Sequence, residues 1–272
     1  MLKFISLGSG SSGNSYLLKS DECCILIDAG INARTMKKHF KELGISLEEI
    51  DAIFVTHDHA DHIKALGVFA NDMKIPVHST ELVHRGINRN HCLSSKLCAE
   101  YVRFINKGEP VTIGDLQITP FEVPHDSSDC VGYTVVNNDV TFCLITDAGH
   151  VTPLIEQNVS NANYLVLESN HDEDMLMMGP YSAYLKGRIR SDKGHLSNKT
   201  AATLIAQHAT PKLRHVWLCH LSEENNHPEL ARKTMESVLR NHGIIPGVDF
   251  NVEILKRKTH SFHLKSLFVK RL

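Results

Sequence analysis

Apolar residues fall in short runs along the chain, alternating or unbroken, at 2–7, 15–19, 24–28, 51–55, 116–123, 131–136, 140–146, 163–168, 214–219 and 249–255. Runs of this length read as strands, and the unbroken ones as strands buried on both faces. Between them, apolar positions recur at helical spacing near 33–43, 61–73, 152–159, 198–209 and 227–241, which predicts helices with one buried face. The first third reads as hairpin-like strands that give way to alternating strand and helix, and the last third alternates again. The pattern predicts an α/β fold with two mixed β-sheets packed together and helices outside, because that arrangement buries both sets of strands. No Pro/Ser-rich linker, repeat or low-complexity stretch interrupts it, so residues 1–272 read as a single domain. Two stretches fit poorly. Residues 84–107 have weak periodicity and read as helical or irregular. Residues 171–194 are polar and punctuated by glycine, and are expected to form an irregular, substrate-facing segment.

Composition changes this picture little until histidine is counted. With 272 residues, 42% hydrophobic and 22% charged, the chain can bury a sizeable core, which excludes global disorder, collagen and coiled coil. The net charge of −2 excludes a strongly basic polyanion binder but leaves room for local basic patches. The seven cysteines make no C-x-x-C pair, no signal-like segment opens the chain, and no apolar run reaches membrane-spanning length. These features predict free thiols, a cytoplasmic location and no membrane partner. Histidine, at 18 residues, is in excess. It is the commonest metal ligand and the side chain that titrates nearest neutral pH.

The excess concentrates after the strand 51–55, in Thr56-His57-Asp58-His59-Ala60-Asp61-His62. His57 and His59 are two apart and point the same way on extended chain. Asp61 and His62 follow at a helix start and project to a neighbouring position. Two imidazoles on one side, with a carboxylate and an imidazole on the other, suit two adjacent divalent ions. Zinc accepts this set most readily, and manganese or iron also can.

The His57–His62 stretch resembles the signature of the metallo-β-lactamase superfamily, and the resemblance extends over nearly the whole chain. It implies a four-layer αββα sandwich with a dinuclear centre at one edge. His57, His59 and His125 would bind one metal, Asp61, His62 and His220 the other, and Asp147 would bridge them. His125, Asp147 and His220 each sit where an apolar run hands over to a loop. Two such ions lower the pKa of a water held between them and clamp substrate oxygens. The nucleophile would then be a metal-held hydroxide, with Asp61 as ligand and catalytic residue. His150, His171 and His227 are rival ligands that read as surface or capping residues, and Cys219 reads as core.

Further segments narrow the chemistry. Gly194-His195-Leu196-Ser197-Asn198 opens the helix 198–209, so His195 and Ser197 stand where backbone N–H groups favour an anion. Glu168 ends another strand. This order is similar to the phosphodiesterase branch of the superfamily, which includes the tRNA 3′-end processing endonucleases. It implies His195 as general acid or phosphate ligand, Ser197 as a phosphate contact and Glu168 as the residue that orients His195. No counterpart of the long tRNA-gripping arm is evident. Within the branch, Gly8–Ser15, Leu167–Asp172 and Cys219–Pro228 resemble the YycJ/WalJ group, which implies a DNA 5′→3′ exonuclease. The alternatives are a small cyclic phosphodiesterase and, further off, a thioesterase or lactonase. The loop Gly8–Ser15 either turns one strand into the next or approaches the metal rim. Phosphate contacts are expected from Lys186, Arg188, Arg190 and Lys193, from Arg85, Arg89, Lys96, Arg103 and Lys107, and from the tail cations Lys256, Arg257, Lys258, Lys265, Lys270 and Arg271. Tyr181 and Tyr184 are candidate base-stacking residues.

Overall fold

A computed structural model describes residues 2–93 and 95–267. The first seven-stranded sheet holds β1 (Leu2–Gly8), β2 (Ser15–Lys19), β3 (Cys24–Ile27), β4 (Ala52–Phe54), β5 (Val77–Ser79) and β6 (Val102–Phe104), with β14 (Ser261–Leu267) added beside β1. β1 to β3 pair antiparallel, and β3 to β6 run parallel. The second sheet holds β7 (Val111–Ile113), β8 (Leu116–Glu122), β9 (Val131–Asn137), β10 (Val140–Ile145), β11 (Tyr164–Glu168), β12 (His215–Cys219) and β13 (Asn251–Ile254) in sequential order. It is antiparallel from β7 to β10 and parallel from β10 to β13. The two mixed sheets flanked by helices form the αββα sandwich expected from the sequence.

The sandwich follows from strands that are apolar on both faces. Phe4, Tyr16, Leu18, Ile25, Ile27 and Phe54 point inward to meet Tyr133, Phe142, Leu144, Val166 and Trp217 of the opposite sheet. The intervening residues Ile5, Leu17, Leu26, Ile53 and Val55 point outward beneath α1 (Ala33–Leu43), α2 (Ala60–Ile63) and α3 (Glu81–Arg89). On the other sheet Cys143, Ile145, Leu165, Leu167, Val216 and Leu218 pack beneath α4 (Pro153–Asn161), α7 (Asn198–His208) and α8 (Pro228–Asn241). Period-two geometry therefore splits each apolar run between the central layer and a helical layer. Trp217 lies at the centre, fully buried, with its ring 4.7 Å from Phe4 and 4.1 Å from His215. Trp217→Ala should lower the free energy of unfolding by about 3–5 kcal/mol. Urea denaturation checks this, and a loss under about 1 kcal/mol would mean that the central layer closes over the cavity.

The structure corrects the sequence reading in three places. The single helix expected over 61–73 is interrupted at 64–65, between α2 and a helical stretch over 66–73 whose turn widens at Val68–Asp72. The cause is a diversion of its carbonyls. The Asp61 carbonyl accepts from Asn14 N–H and the His62 carbonyl from Ala29 N–H, while Ala65 N–H donates to the Ala29 carbonyl. The helix thus lacks the acceptor its next turn needs. The segment 171–194 is not irregular: it holds α5 (Glu173–Met178) and α6 (Ala183–Ile189), each started by a side-chain cap, Asp172 and Ser182. The segment 84–107 is mixed, with the end of α3 followed by a loop and β6. β5, β6 and β7 are three residues each, too short to show a period. Among the described residues no helix is long and apolar enough to cross a membrane, and all seven cysteines are free.

Candidate metal centre and the Glu168–His195 pair

The site forms where loops leave the carboxyl ends of β3, β4, β10, β11 and β12 along one edge of the sandwich. Asp28, Asp147 and His220, the residues just past β3, β10 and β12, all have φ between 53° and 62°. That conformation is costly for non-glycine residues and persists only where surrounding contacts enforce it. Gly30 is required here for another reason: a Cβ on it would lie 1.6 Å from the Asp61 carbonyl oxygen. The close approach lets loop 28–30 lock onto Asp61 and His62.

His57, His59 and His125 converge, their ligand atoms lying within 4.8 Å of one another. Hydrogen bonds fix which nitrogen each presents. Thr56 Oγ1 donates to Asp28 Oδ2 at 2.9 Å, so it accepts from His57 Nδ1 at 3.0 Å. His57 Nε2 is then a lone-pair atom, buried and without a hydrogen-bond partner. His125 Nδ1 donates to the Gly194 carbonyl at 3.0 Å and His59 Nε2 to the Asp126 carbonyl at 3.2 Å. Their remaining nitrogens face each other at 3.3 Å. Burial, then the neighbouring His62, holds His57 well below its ordinary pKa, and burial likewise lowers His125, so these rings are neutral.

A second group, Asp61, His62 and His220, lies beside the first. His62 Nδ1 donates to Asp28 Oδ2 at 2.7 Å, and its Nε2 faces Asp147 Oδ2 at 3.2 Å and Asp61 Oδ2 at 3.5 Å. His220 Nε2 lies 3.2 Å from Asp61 Oδ2. Burial opposes charge on His62, yet Asp28, Asp147 and Asp61 together hold it well above the ordinary histidine range. His220 is likewise raised, to about 10, by Asp147, Asp61 and Glu168 against burial. Asp147 stands between the groups, with Oδ2 towards His62 and Oδ1 3.7 Å from His125 Nε2 and 3.4 Å from His220 Nδ1. Among buried carboxylates a cation is demanded at this point.

These side chains fit divalent metal. Three lone-pair nitrogens converge with no hydrogen between them, one of them an orphan, and buried carboxylates supply excess negative charge beside them. Histidine with carboxylate is a donor set for zinc and related ions. The carboxylate and carbonyl partners behind the rings fix their orientation, as in metal–histidine–carboxylate arrangements.

Glu168 lies behind this centre, fully buried. Its Oε2 accepts from the N–H groups of Ala148 (2.9 Å) and Leu196 (3.1 Å). Its Oε1 lies 2.8 Å from His195 Nδ1 and 3.0 Å from His220 Nδ1. Against burial, the His195 charge and hydrogen bond lower Glu168 to about 2. His195 in turn is raised, Glu168 and Asp147 outweighing burial. Its side chain is 17% exposed and lines a cavity of about 540 Å³ with His150, His171, Arg190 and Thr200.

Seven residues, His57, His59, Asp61, His62, His125, Asp147 and His220, are thus gathered at one point, with His195 and Glu168 adjoining. Ser197 is placed differently. It caps α7 by accepting from Thr200 N–H and donates to Glu173 Oε1 at 2.9 Å, so the phosphate contact expected of its hydroxyl would displace the bond to Glu173. His227 caps α8, His150 Nδ1 lies 2.8 Å from the Asp192 carbonyl, and Cys219 is in the central core. The loop Gly8–Ser15 does reach the site. Ser9 Oγ accepts from His220 N–H, and Asn14 Nδ2 lies 3.0 Å from His62 Nε2.

Several expected phosphate contacts are spent on the fold. Arg188 pairs with Asp126, Lys107 with Asp129, Arg85 with Glu81 and Lys258 with Glu223. Arg257 donates to the carbonyls of Leu221, Ser222 and Asn226. Lys270 and Arg271 lie outside the described residues. Tyr184 is 83% exposed on α6, which excludes a core role for it. Asp28, Thr56 and Asn170, whose Nδ2 donates to the His220 carbonyl at 3.0 Å, are site residues to which the sequence reading gave no role. For Asp28 a signal existed: it follows an unbroken apolar run, just as Asp147 does.

Residues 24–221 match the beta-lactamase superfamily domain. The chain is 36% identical over 251 residues to exodeoxyribonuclease YycJ of Bacillus anthracis, covering 92% of this chain and 94% of that protein. It is 35% identical over 250 residues to exodeoxyribonuclease WalJ of Streptococcus pneumoniae, covering 92% and 93%. The crystal structure of the metallo-beta-lactamase fold protein YhfI from Bacillus subtilis superimposes with a TM-score of 0.69 at 19% identity, over 96% of this chain and 99% of that one.

Proposed function

The chain belongs to the beta-lactamase superfamily of metal-dependent hydrolases, and on that premise we propose that it is a dinuclear phosphodiesterase acting on DNA as a 5′→3′ exonuclease. The observation that carries the phosphodiesterase reading is the Glu168–His195 pair at the rim of the metal centre. A protonated imidazole backed by a buried carboxylate serves a poor leaving group such as a sugar oxygen, whereas the thiolate expelled in a thioesterase leaves without one. The named activity of the two relatives supports DNA as the substrate.

His57, His59 and His125 would hold one ion, Asp61, His62 and His220 the other, and Asp147 would be shared. When bound, such a pair polarises phosphate oxygens and activates water at neutral pH, and zinc is the first choice for these donors, with manganese or iron as alternatives. The protein's own residues do the rest. Asp61, with its side chain 23% exposed beside His220, is positioned to orient the attacking water. Glu168 fixes His195 in the Nδ1–H tautomer and favours its protonated form, so the remaining nitrogen is a proton donor for the leaving oxygen. Arg190 at the mouth of the cavity supplies a cation for the phosphate backbone.

The test is direct. The zinc- or manganese-loaded protein should shorten end-labelled single- or double-stranded DNA and hydrolyse bis-p-nitrophenyl phosphate. Hydrolysis of the small ester with no attack on DNA or RNA would overturn the nuclease reading in favour of a small phosphodiester. A supporting residue provides a graded check. Asp28→Ala removes the partner that orients His62 and, through Thr56, His57. It should weaken metal binding by about 10–100-fold, measured by competition with a chelating dye. Unchanged affinity would show that the rings are oriented without it.

A further inference from the structure

We propose that His39, Glu42 and His260 form a further divalent-metal site of the zinc type, separate from the dinuclear centre, which ties α1 to the start of the C-terminal strand β14. Their ligand atoms lie within 4.8 Å of one another. His39 and Glu42 are three apart on α1 and therefore share a face. His260 comes from the other end of the chain, one residue before β14. Its ring meets that of His39 edge-on at 4.9 Å, and its Nδ1 lies 3.6 Å from Glu42 Oε2, too far for a hydrogen bond.

The second observation concerns His39 itself. It is 6% exposed, and its Nδ1 is buried with no hydrogen-bond partner. The ring is hydrogen-bonded to the Leu7 backbone, which accounts for the other nitrogen and leaves the partnerless Nδ1 as its lone-pair atom. A buried acceptor is rarely left unsatisfied without a reason. Two imidazoles and a carboxylate are three of the four donors that zinc takes, and the exposed side of Glu42 leaves the fourth position to water.

The placement gives the site a purpose. After β13 in the second sheet the chain crosses at 255–260 to become β14, the edge strand of the first sheet. Its attachment there is by antiparallel pairing with β1. An ion on His260 would pin this returning segment to a helix from the first quarter of the chain, closing a long loop much as a cross-link does.

The full-length protein is equilibrated with micromolar free zinc, and bound zinc per chain is measured by plasma mass spectrometry for wild type, Glu42→Gln, His260→Ala and His39→Ala. Wild type should hold one ion more than each variant, and zinc should protect the C-terminal segment from trypsin in wild type only. Hydrolysis by the dinuclear centre should be unchanged in all. Equal zinc content in wild type and variants would overturn the proposal. Glu42 is exposed and His260 only half-buried, so their variants carry the test even if His39→Ala folds poorly. The count of ions does not depend on which substrate is cleaved, so this result stands or falls apart from the nuclease assignment.

Discussion

Asp147→Ala should abolish the proposed phosphodiester cleavage and reduce bound metal at the candidate centre. Loss of a residue that only supports a ligand costs about 10–100-fold in affinity or activity, and this substitution should exceed that range. Asp147 Oδ2 faces His62 and Oδ1 faces His125, His195 and His220, so one carboxylate serves both halves of the site. Removing it leaves four imidazoles converging with one fewer of the carboxylates that make a cation favourable there. The substitution removes the hydrogen bond from Thr146 and keeps a Cβ at φ 54°, where alanine is less at ease than aspartate, so some stability is lost with it. Metal analysis and circular dichroism on the same sample separate the two effects. Normal metal content with residual activity within 100-fold of wild type would remove Asp147 from the shared position.

The sequence carried the layered fold because its strands are apolar on both faces. A run such as Leu144-Ile145 must divide its side chains between a central layer and a helical one, and that division already implies sheets covered on both sides. It carried the grouping of the candidate ligands because His57, His125, Asp147 and His220 each come shortly after a strand, where the backbone direction is fixed. What it did not carry depends on partners distant in sequence. The interruption of the helix after Ile63 comes from Asn14 and Ala29, which take carbonyls that no local pattern marks as taken. Ser197 read as an anion contact because it opens a helix, but Glu173 claims its hydroxyl. Arg257 and Arg188 counted as free cations in a basic segment, yet each is committed to carbonyls or a carboxylate elsewhere in the chain. Charge totals register such residues without showing that they are used.

His195→Ala should lower DNA cleavage by about 10²–10⁴-fold while leaving bound metal unchanged. The separation is possible because His195 Nδ1, which adjoins Asp147 and His220, is engaged by Glu168 at 2.8 Å. A proton donor matters in proportion to how poor the leaving group is. A deoxyribose oxygen needs a proton as it departs, whereas p-nitrophenolate leaves readily without one. The same variant should therefore lose far less activity on bis-p-nitrophenyl phosphate than on DNA, and the ratio of the two losses is the diagnostic quantity. Glu168→Gln should reproduce the direction of this split, because an amide still accepts from Ala148 or Leu196 but no longer supplies the charge that keeps His195 protonated. Equal losses on both substrates would place His195 in phosphate binding instead. Full DNA activity in His195→Ala would leave the buried Glu168–His195 pair as a device for holding His220, whose Nδ1 lies 3.0 Å from the same carboxylate oxygen.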